Sequence, residues 1–408
     1  MVGAGQAGLL LALGLRRHEY DVTVVTERTA EDLRDGRVIS NQCLFEPALR
    51  HERSLGLNLW DDRVPPVEGI GFGAAGEPGS TEPAIAWEAK LDHQAESVDQ
   101  RLKMSDWLVE FERRGGEVRS GKAGPAELEE LAREFDLVLV AAGRGAQVNG
   151  LFPRDAARSR FDAPQRAISL TYGKPTGAAL PVYPGVMFGL APAGEVFALP
   201  VLTTTGPVCG ICFFAVPGGP LDRFDGVTDP DEHYELTKTL LREQFPWLEP
   251  ITDGLTPRGP LDILSGRITP VVRHAVGTLP SGAKVLAVGD SAVTNDPIAG
   301  QGANMATRCA AVYQEAILAH GDRPFDEAFM RATFERYWGF ARHATLFSND
   351  LLEPSPPHVL ATLAAAQELP EVAHRFAHLF DDPADYTAWL ADAEVSSRYL
   401  EEARSRAA

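Results

Sequence analysis

The apolar positions along the chain change period from segment to segment, and the changes mark out the elements. The run Leu9-Leu10-Leu11-Ala12-Leu13-Gly14-Leu15 is entered through Val2-Gly3-Ala4-Gly5-Gln6-Ala7-Gly8 and followed by the β-branched stretch Asp21-Val22-Thr23-Val24-Val25-Thr26. This predicts a glycine turn, a buried helix and a strand. A helix is predicted over 45–57. Residues 61–95 are rich in Gly and Pro, with short apolar pieces at 70–72 and 84–87, and read as loop-linked β structure. Near Asp99 the pattern turns helical: Met104, Trp107, Leu108 and Phe111 recur at helix spacing until Gly115-Gly116 stop it. A further helix covers 127–135. Residues 136–143 are almost wholly apolar, as in the middle of a parallel sheet.

Between 167 and 216 the apolar runs shorten and become β-rich, at 167–172, 186–189, 196–202 and 208–216. They predict an antiparallel sheet and a second lobe. Residues 230–245 read as helix and 260–275 as strand, with Pro270 at an edge or a bend. Residues 284–290 form a strand ending in Gly289-Asp290, and a helix then runs to about Leu318. From Pro324 onward the pattern is helical, over 325–350, 357–368, 370–379 and 386–404, and the Pro354–Pro357 break separates the first two.

A chain of 408 residues can bury a large core and usually divides into more than one lobe. A net charge of −19 argues against nucleic acid or an anionic membrane as partner. No apolar run approaches the roughly 20 residues of a membrane span. The apolar opening is the glycine motif itself rather than a signal peptide. Four cysteines in this length imply no disulfide framework and suit a reducing cytoplasm. Cys209 and Cys212 lie three apart on a predicted strand, so they should face opposite sides as buried apolar groups rather than form a redox or metal pair.

Gly3-x-Gly5-x-x-Gly8 has the spacing of a dinucleotide-binding turn. The first glycine permits the tight turn, the second lets a pyrophosphate approach the backbone, and the third lets helix and strand pack closely. Gln6 and Ala7 complete the loop, whose N–H groups at the helix start face the phosphates. Glu27, with Arg28 beside it, stands near the ribose position at the end of the second strand. The motif needs a strand beneath it, yet only Met1 and Val2 precede Gly3. Several β-type residues upstream of Met1 are therefore expected in the native protein. The second site-forming stretch is Gly289-Asp290 followed by Pro297 and Gly300-Gln301-Gly302-Ala303-Asn304. A carboxylate at a strand end can hold a sugar-like hydroxyl, and a glycine-opened helix start can support negative charge. A plain strand–loop–helix connection with Asp290 as cap fits the same spacing. There is no Gly-x-Ser-x-Gly, no His-Glu-x-x-His and no cluster of His and Cys, so no metal site is predicted. His274 beside Arg273 reads as a solvated strand end.

Taken together, these two stretches resemble the flavoprotein monooxygenases of the para-hydroxybenzoate hydroxylase fold, and within them the styrene and indole monooxygenases. Asp296-Pro297-Ile298-Ala299-Gly300-Gln301-Gly302-Ala303-Asn304-Met305 carries the likeness, with Leu261-Asp262-Ile263-Leu264, Thr269-Pro270-Val271-Val272-Arg273, Asp99-Gln100-Arg101-Leu102 and Arg113-Arg114-Gly115-Gly116 in the expected order. The likeness spans nearly the whole chain and is weakest over 60–95 and 170–230. It implies an α/β fold: a Rossmann-like FAD-binding domain from 1–60, 96–160 and 260–322, an inserted antiparallel β-sheet substrate domain from 61–95 and 161–259, and a helical C-terminal part over 323–408. It implies FAD delivered in reduced form by a separate NADH-dependent flavin reductase. With O₂ this would give a C4a-(hydro)peroxyflavin that epoxidises or hydroxylates a small aromatic alkene or an indole-like substrate. A homodimer is a candidate assembly.

By the same resemblance Arg101 reaches the FAD phosphate or ribityl region, Asp290 holds the ribityl or pyrophosphate side, and Pro297 with Gly300–Gly302 faces the isoalloxazine edge. The N–H of Gln301 or Gly302 would lie near the flavin C2 carbonyl. Ser40 and Asn41 match the segment over the flavin, or else cap the following helix. Ser40, Asn41 and Pro297 make up the expected catalytic set. Three departures from the single-component hydroxylases stand out: Ala142 before Gly143 where those enzymes carry an Asp, Val293 where they carry a His, and Thr26 where the ribose acid usually closes the strand. The first two favour the two-component group. A single-component NAD(P)H-dependent hydroxylase and a non-enzymatic flavin-binding protein are the alternatives. A halogenase is disfavoured, since Trp-x-Trp-x-Ile-Pro is missing.

Overall fold

The computed structural model describes residues 1–76, 80–177, 180 and 183–407. Its parallel sheet is organised around the first three residues. Val2 bridges Val140 on one side and Val25 on the other, both in parallel. Its N–H donates to Leu139 O at 2.8 Å, and Ala141 N–H donates back to Val2 O at 2.7 Å. Strand Thr23–Thr26 pairs outward with Glu117–Ser120, and Leu139–Val140 pairs outward with Lys284–Ala287, again in parallel. Val276–Thr278 closes that edge in antiparallel fashion. The apolar run over 136–143 yields only a two-residue ladder, Leu139–Val140.

Helix Gln6–Arg16 leaves the sheet at Gly5, and Leu9 to Leu13 have no exposed surface. A helix apolar all round must be covered on every side. Helices Gln100–Arg113 and Gln301–His320 pack against it, and strands of the parallel sheet complete the cover.

The second lobe is an eight-stranded sheet. In spatial order it runs Leu255–Pro257, Ala167–Pro175, Gly206–Ala215, Gly194–Thr203, Val186–Ala191, Pro66–Ala74 and Ile85–Glu96, with Ile263–Arg267 also paired to Ala167–Pro175. Every pairing is antiparallel except Pro66–Ala74 with Val186–Ala191. The strand pairing thus continues to Arg267, past residue 259. Alternation across strand Gly206–Ala215 divides the core: Cys209 and Phe213 belong to the side covered by helix Pro230–Gln244, while Cys212 and Phe214 face the C-terminal helices. All four cysteines are free and buried, and burial pushes the Cys209 thiol up to about 12. The two residues of the Cys-x-x-Cys therefore sit in different core layers, as strand geometry requires.

The C-terminal helices Glu327–Leu351, Pro357–Ala365, Pro370–Ala377 and Ala393–Ala407 cover the second face. An aromatic series carries the packing from sheet to helix: Phe197 meets Phe188, Phe188 stacks on Phe72, Phe72 stacks on Trp87, and Trp87 meets Phe376 edge-on. The buried Arg166 guanidinium pairs with Glu195 at 2.9 Å and donates to the carbonyl of Leu352, so sheet and helices are also tied by charge. No helix among the described residues is long and apolar enough to cross a membrane.

Lys103 and Glu52 form a second buried pair, 2.7 Å apart, with the ammonium 5.6 Å from the Trp60 ring and 5.2 Å from the Trp107 ring. Burial pushes the Glu52 pKa up and Lys103 opposes the shift. Removing one partner strands the other charge, a loss of about 3–5 kcal/mol. Lys103→Met is expected to lower unfolding free energy by that order in urea titration at pH 7, and Lys103→Met/Glu52→Gln to recover most of it. Equal losses in the single and double variants would show that packing, not the stranded charge, sets the cost.

Candidate active site

The three motif glycines meet three different constraints. Gly3 has φ +104°, and a Cβ there would lie 2.3 Å from the Ala141 carbonyl oxygen. Gly8 carries the helix over the turn, where a Cβ would lie 2.6 Å from Gly3 O. Gly5 is different: nothing lies within 4 Å of the position a Cβ would take, and no side chain caps the helix it opens. Free N–H groups at an open helix start form an anion site. Glu27 and Arg28 are exposed just beyond the adjacent strand, where Thr26 Oγ1 hydrogen-bonds with the backbone of Arg28.

The second stretch lies against the first. Gly289 has φ +59°, and a Cβ there would fall 2.8 Å from the Cβ of Ala7. Gln6 Nε2 donates to Thr307 Oγ1 at 2.9 Å and to Ala303 O at 3.2 Å, joining helix Gln6–Arg16 to helix Gln301–His320. The latter starts at Gly300, φ +61°, also without a side-chain cap, and the space beside Gly300 and Gly302 is open. Two uncapped helix starts are thus brought together.

Asn304 locks a third segment into place. Its Nδ2 donates to Cys43 O at 2.9 Å, and its Oδ1 accepts from Phe45 N at 3.0 Å. This holds the residues that follow Ser40 and Asn41. Ser40 Oγ and Asn41 Oδ1 are enclosed yet have no hydrogen-bond partner. Buried orphans of this kind are rare and call for an explanation. They are not spent on the next helix, whose N-cap is Phe45.

Asp290 is 42 % exposed, with Arg144 3.9 Å from its carboxylate. Arg273 donates to Asp290 O at 3.1 Å and to Asn149 Oδ1. Arg144, Asn149 and Arg273 line a cleft of about 810 Å³ together with Ile39, Ile168 and Leu264. Sequence reasoning singled out neither Arg144 nor Asn149, which sit in no motif. His274 is 57 % exposed.

Arg101 is buried and engaged by protein acceptors on every side. Its Nε and Nη2 donate to Asp99, Nη2 also to Asp262 at 2.7 Å, and Nη1 to the carbonyls of Gly36 and Leu261. Every N–H of the guanidinium has a protein acceptor, and the Tyr172 ring lies 6.0 Å away. This buried ion-pair network keeps the carboxylates of Asp99 and Asp262 from being stranded. The Gln301 side chain is also committed, to Phe380 O at 2.9 Å and Ala299 O, which leaves its backbone N–H as the part at the helix start.

Residues 143–250 match the family described as "Styrene monooxygenase A putative substrate binding domain". Over 395 residues the chain is 31 % identical to styrene monooxygenase StyA of Pseudomonas fluorescens, covering 94 % of this chain and 92 % of the relative. The chain belongs to the styrene monooxygenase family. Among solved structures, the flavin-dependent brominase Bmp2 superposes with TM-score 0.65 at 15 % identity over 99 % of this chain and 98 % of its own. The p-nitrophenol 4-monooxygenase PnpA of Pseudomonas putida DLL-E4 gives 0.64 at 16 % identity over 94 % and 96 %. At these identities the likeness is one of fold. As a member of its family the protein is an FAD-dependent monooxygenase of the styrene monooxygenase type. Its residues fit that cofactor: the open face at Gly5, the bare helix start at Gly300 and the orphaned Ser40 and Asn41 oxygens are what a flavin dinucleotide would fill.

Pro297 begins the 3₁₀ turn Pro297–Ala299, capped by Asp296, whose Oδ1 accepts from Ile298 N at 3.0 Å. Asp296 is fully buried and its Oδ2 has no partner. Desolvation pushes its pKa from 3.8 up to about 7, against the pull of the Ile298 N–H. Between those values the folded chain keeps a proton that the unfolded chain has lost. The stability from this group is therefore complete below pH 3.8 and is lost as pH rises through about 7. The full loss is on the order of 4 kcal/mol. Asp296→Asn should raise the melting temperature more at pH 8 than at pH 5 in calorimetric scans. The same gain at both pH values would show that Asp296 does not titrate in this range.

Proposed function

We propose that this chain is the oxygenase of a two-component system. It takes reduced FAD from a separate NADH-dependent flavin reductase and, with O₂, oxygenates a small aromatic alkene or an indole-like substrate. The observation that carries the reading is the meeting of two uncapped, glycine-bare helix starts, at Gly5 and Gly300, through Gln6, Ala7 and Gly289. One helix start suits the pyrophosphate and the other suits the anionic edge of a reduced flavin. A nicotinamide dinucleotide would use only the first. The relative's name, styrene monooxygenase, supports the substrate class. Ala142 and Val293, in place of an Asp and a His, support a supply of reduced flavin from outside.

A flavin bound here would supply the activation of O₂ and the transfer of one of its oxygen atoms, the other leaving as water. The chain's part is positional. Gly3, Gly5, Gln6, Ala7 and Gly8 cradle the pyrophosphate, and Glu27 with Arg28 takes the adenosine ribose. Asp290 takes the ribityl side. Pro297, Gly300, Gly302, Ala303 and the Gln301 N–H border the ring edge, with Asn304 holding the segment that carries Ser40 and Asn41 over the flavin.

Two outcomes are expected. Purified protein with FAD, NADH and a generic flavin reductase should convert styrene to its epoxide or indole to indigo, and should do neither without the reductase. Rapid reduction of the bound flavin by NADH alone would overturn the two-component reading. Gly5→Ala should fold with an unchanged melting temperature yet bind FAD about tenfold more weakly, near 1.4 kcal/mol, by fluorescence titration. Gly3→Ala should instead lose more than about 2 kcal/mol of stability. Unaltered FAD affinity in Gly5→Ala would remove the pyrophosphate from that position.

A further inference from the structure

Away from the active site, three metal-ligating side chains converge on the outer edge of the second lobe. Asp92 projects from Ile85–Glu96, the last strand of the sheet. His374 lies in helix Pro370–Ala377 and His378 caps its C-terminal end. Residues four apart share one face of a helix, and these two rings stand 4.3 Å apart between centroids. His374 Nε2 is 3.1 Å from Asp92 Oδ1, and His378 Nε2 is 3.5 Å from Asp92 Oδ2. The ligand atoms of all three residues lie within 4.8 Å of one another.

We infer that Asp92, His374 and His378 form a binding site for a divalent transition metal, zinc by preference. The spacing is the first reason. Two ligands each roughly 2.0–2.2 Å from a tetrahedral zinc stand about 3.4 Å apart. The two His–Asp distances already bracket that separation. Rotation of side chains that are 64 % (Asp92), 48 % (His374) and 19 % (His378) exposed can bring in the rest. The donor set is the second reason. Two imidazoles and one carboxylate suit zinc, cobalt, nickel or copper and do not suit magnesium or calcium, which require oxygen ligands.

The surroundings of His378 are the third reason. Its Nε2 lone pair is turned toward Asp92, where it accepts only a long, 3.4 Å hydrogen bond from the Asp92 N–H that a metal would displace. On the far side of the ring the Asp381 carboxylate lies 3.9 Å from Nδ1, and Asp381 Oδ1 is buried without a hydrogen-bond partner. A carboxylate behind a ligating histidine orients the ring and raises its basicity. The site is complete on three sides and open to solvent on the fourth, where water would be the remaining ligand. A metal here would clasp the C-terminal helices to the edge strand, whose other end is linked to them by the Ala86 N–H to Gln367 Oε1 hydrogen bond. A bare edge strand is the part of a sheet that most needs covering. The site shares no residue with the flavin cleft.

The test uses the full chain without an affinity tag, stripped with chelator and titrated with zinc chloride alone by calorimetry at pH 7.5. One zinc per chain is expected, with a Kd in the micromolar range, about −8 kcal/mol. Cobalt in its place should give visible tetrahedral absorption bands. His374→Ala, His378→Ala and Asp92→Asn should each weaken zinc binding at least tenfold and abolish the zinc-dependent rise in melting temperature. His93→Ala, on the opposite face of the same strand, should bind as the parent does. Asp92 and His374 are exposed, so circular dichroism and the metal-free melting temperature should match the parent in Asp92→Asn and His374→Ala, while half-buried His378→Ala is compared with its own metal-free state. A Kd weaker than about 100 μM, or affinity unchanged in His374→Ala/His378→Ala, would overturn the site and leave a hydrogen-bonded His–Asp cluster.

Discussion

The close contact between Ala7 and Gly289 is the constraint on which the rest of the molecule turns. One residue offers a single methyl group and the other offers none, with φ at +59°. Only that pairing lets the first helix of the parallel sheet lie against the turn that ends a strand from the other end of the chain. The hydrogen bonds of Gln6 to Thr307 and Ala303 follow from it. So does the alignment of two helix starts whose N–H groups no side chain has claimed. A cofactor with a charged linker and a charged ring edge needs two such places at a set separation, and a single glycine motif provides one.

Around this contact the lobes are held by buried charge. Arg101 with Asp99 and Asp262, Lys103 with Glu52, and Arg166 with Glu195 each join segments far apart in the chain. Pairs of this kind gain little net stability, since desolvation offsets attraction. They do make wrong arrangements costly, because any displacement strands a charge in the core. Buried polar atoms without a protein partner occur in both lobes, and those of Ser40, Asn41 and Asp296 lie on segments next to the two helix starts.

The metal cluster stands apart from this design. It lies where the C-terminal helices meet the edge strand. No metal site was predicted from the sequence, because two histidines on a helix surface point to nothing until a third ligand is supplied. Asp92 comes from a strand whose place at the sheet edge is set by its pairing with Pro66–Ala74. Arg101 shows the same limit from the other direction. Asp99 stands two residues away in sequence, but Asp262 and the carbonyls of Gly36 and Leu261 arrive only through the tertiary fold, and the four together engage every N–H of the guanidinium.

By itself the amino-acid order determined the alternation of parallel sheet, inserted β-sheet and C-terminal helices, the glycine turn, and the opposed faces of Cys209 and Cys212. These follow from backbone sterics and from the periods of helix and strand, which act over a few residues and need no distant partner. The tertiary structure decided which polar groups are spent and which remain free. It turned Arg101 and the Gln301 side chain inward, left Ser40 and Asn41 unsatisfied, and set Arg144 and Asn149 on a cleft wall. The reason is that a hydrogen bond or ion pair depends on position in space to within tenths of an ångström. Residues with no periodic signature acquire that position only when distant segments close on one another.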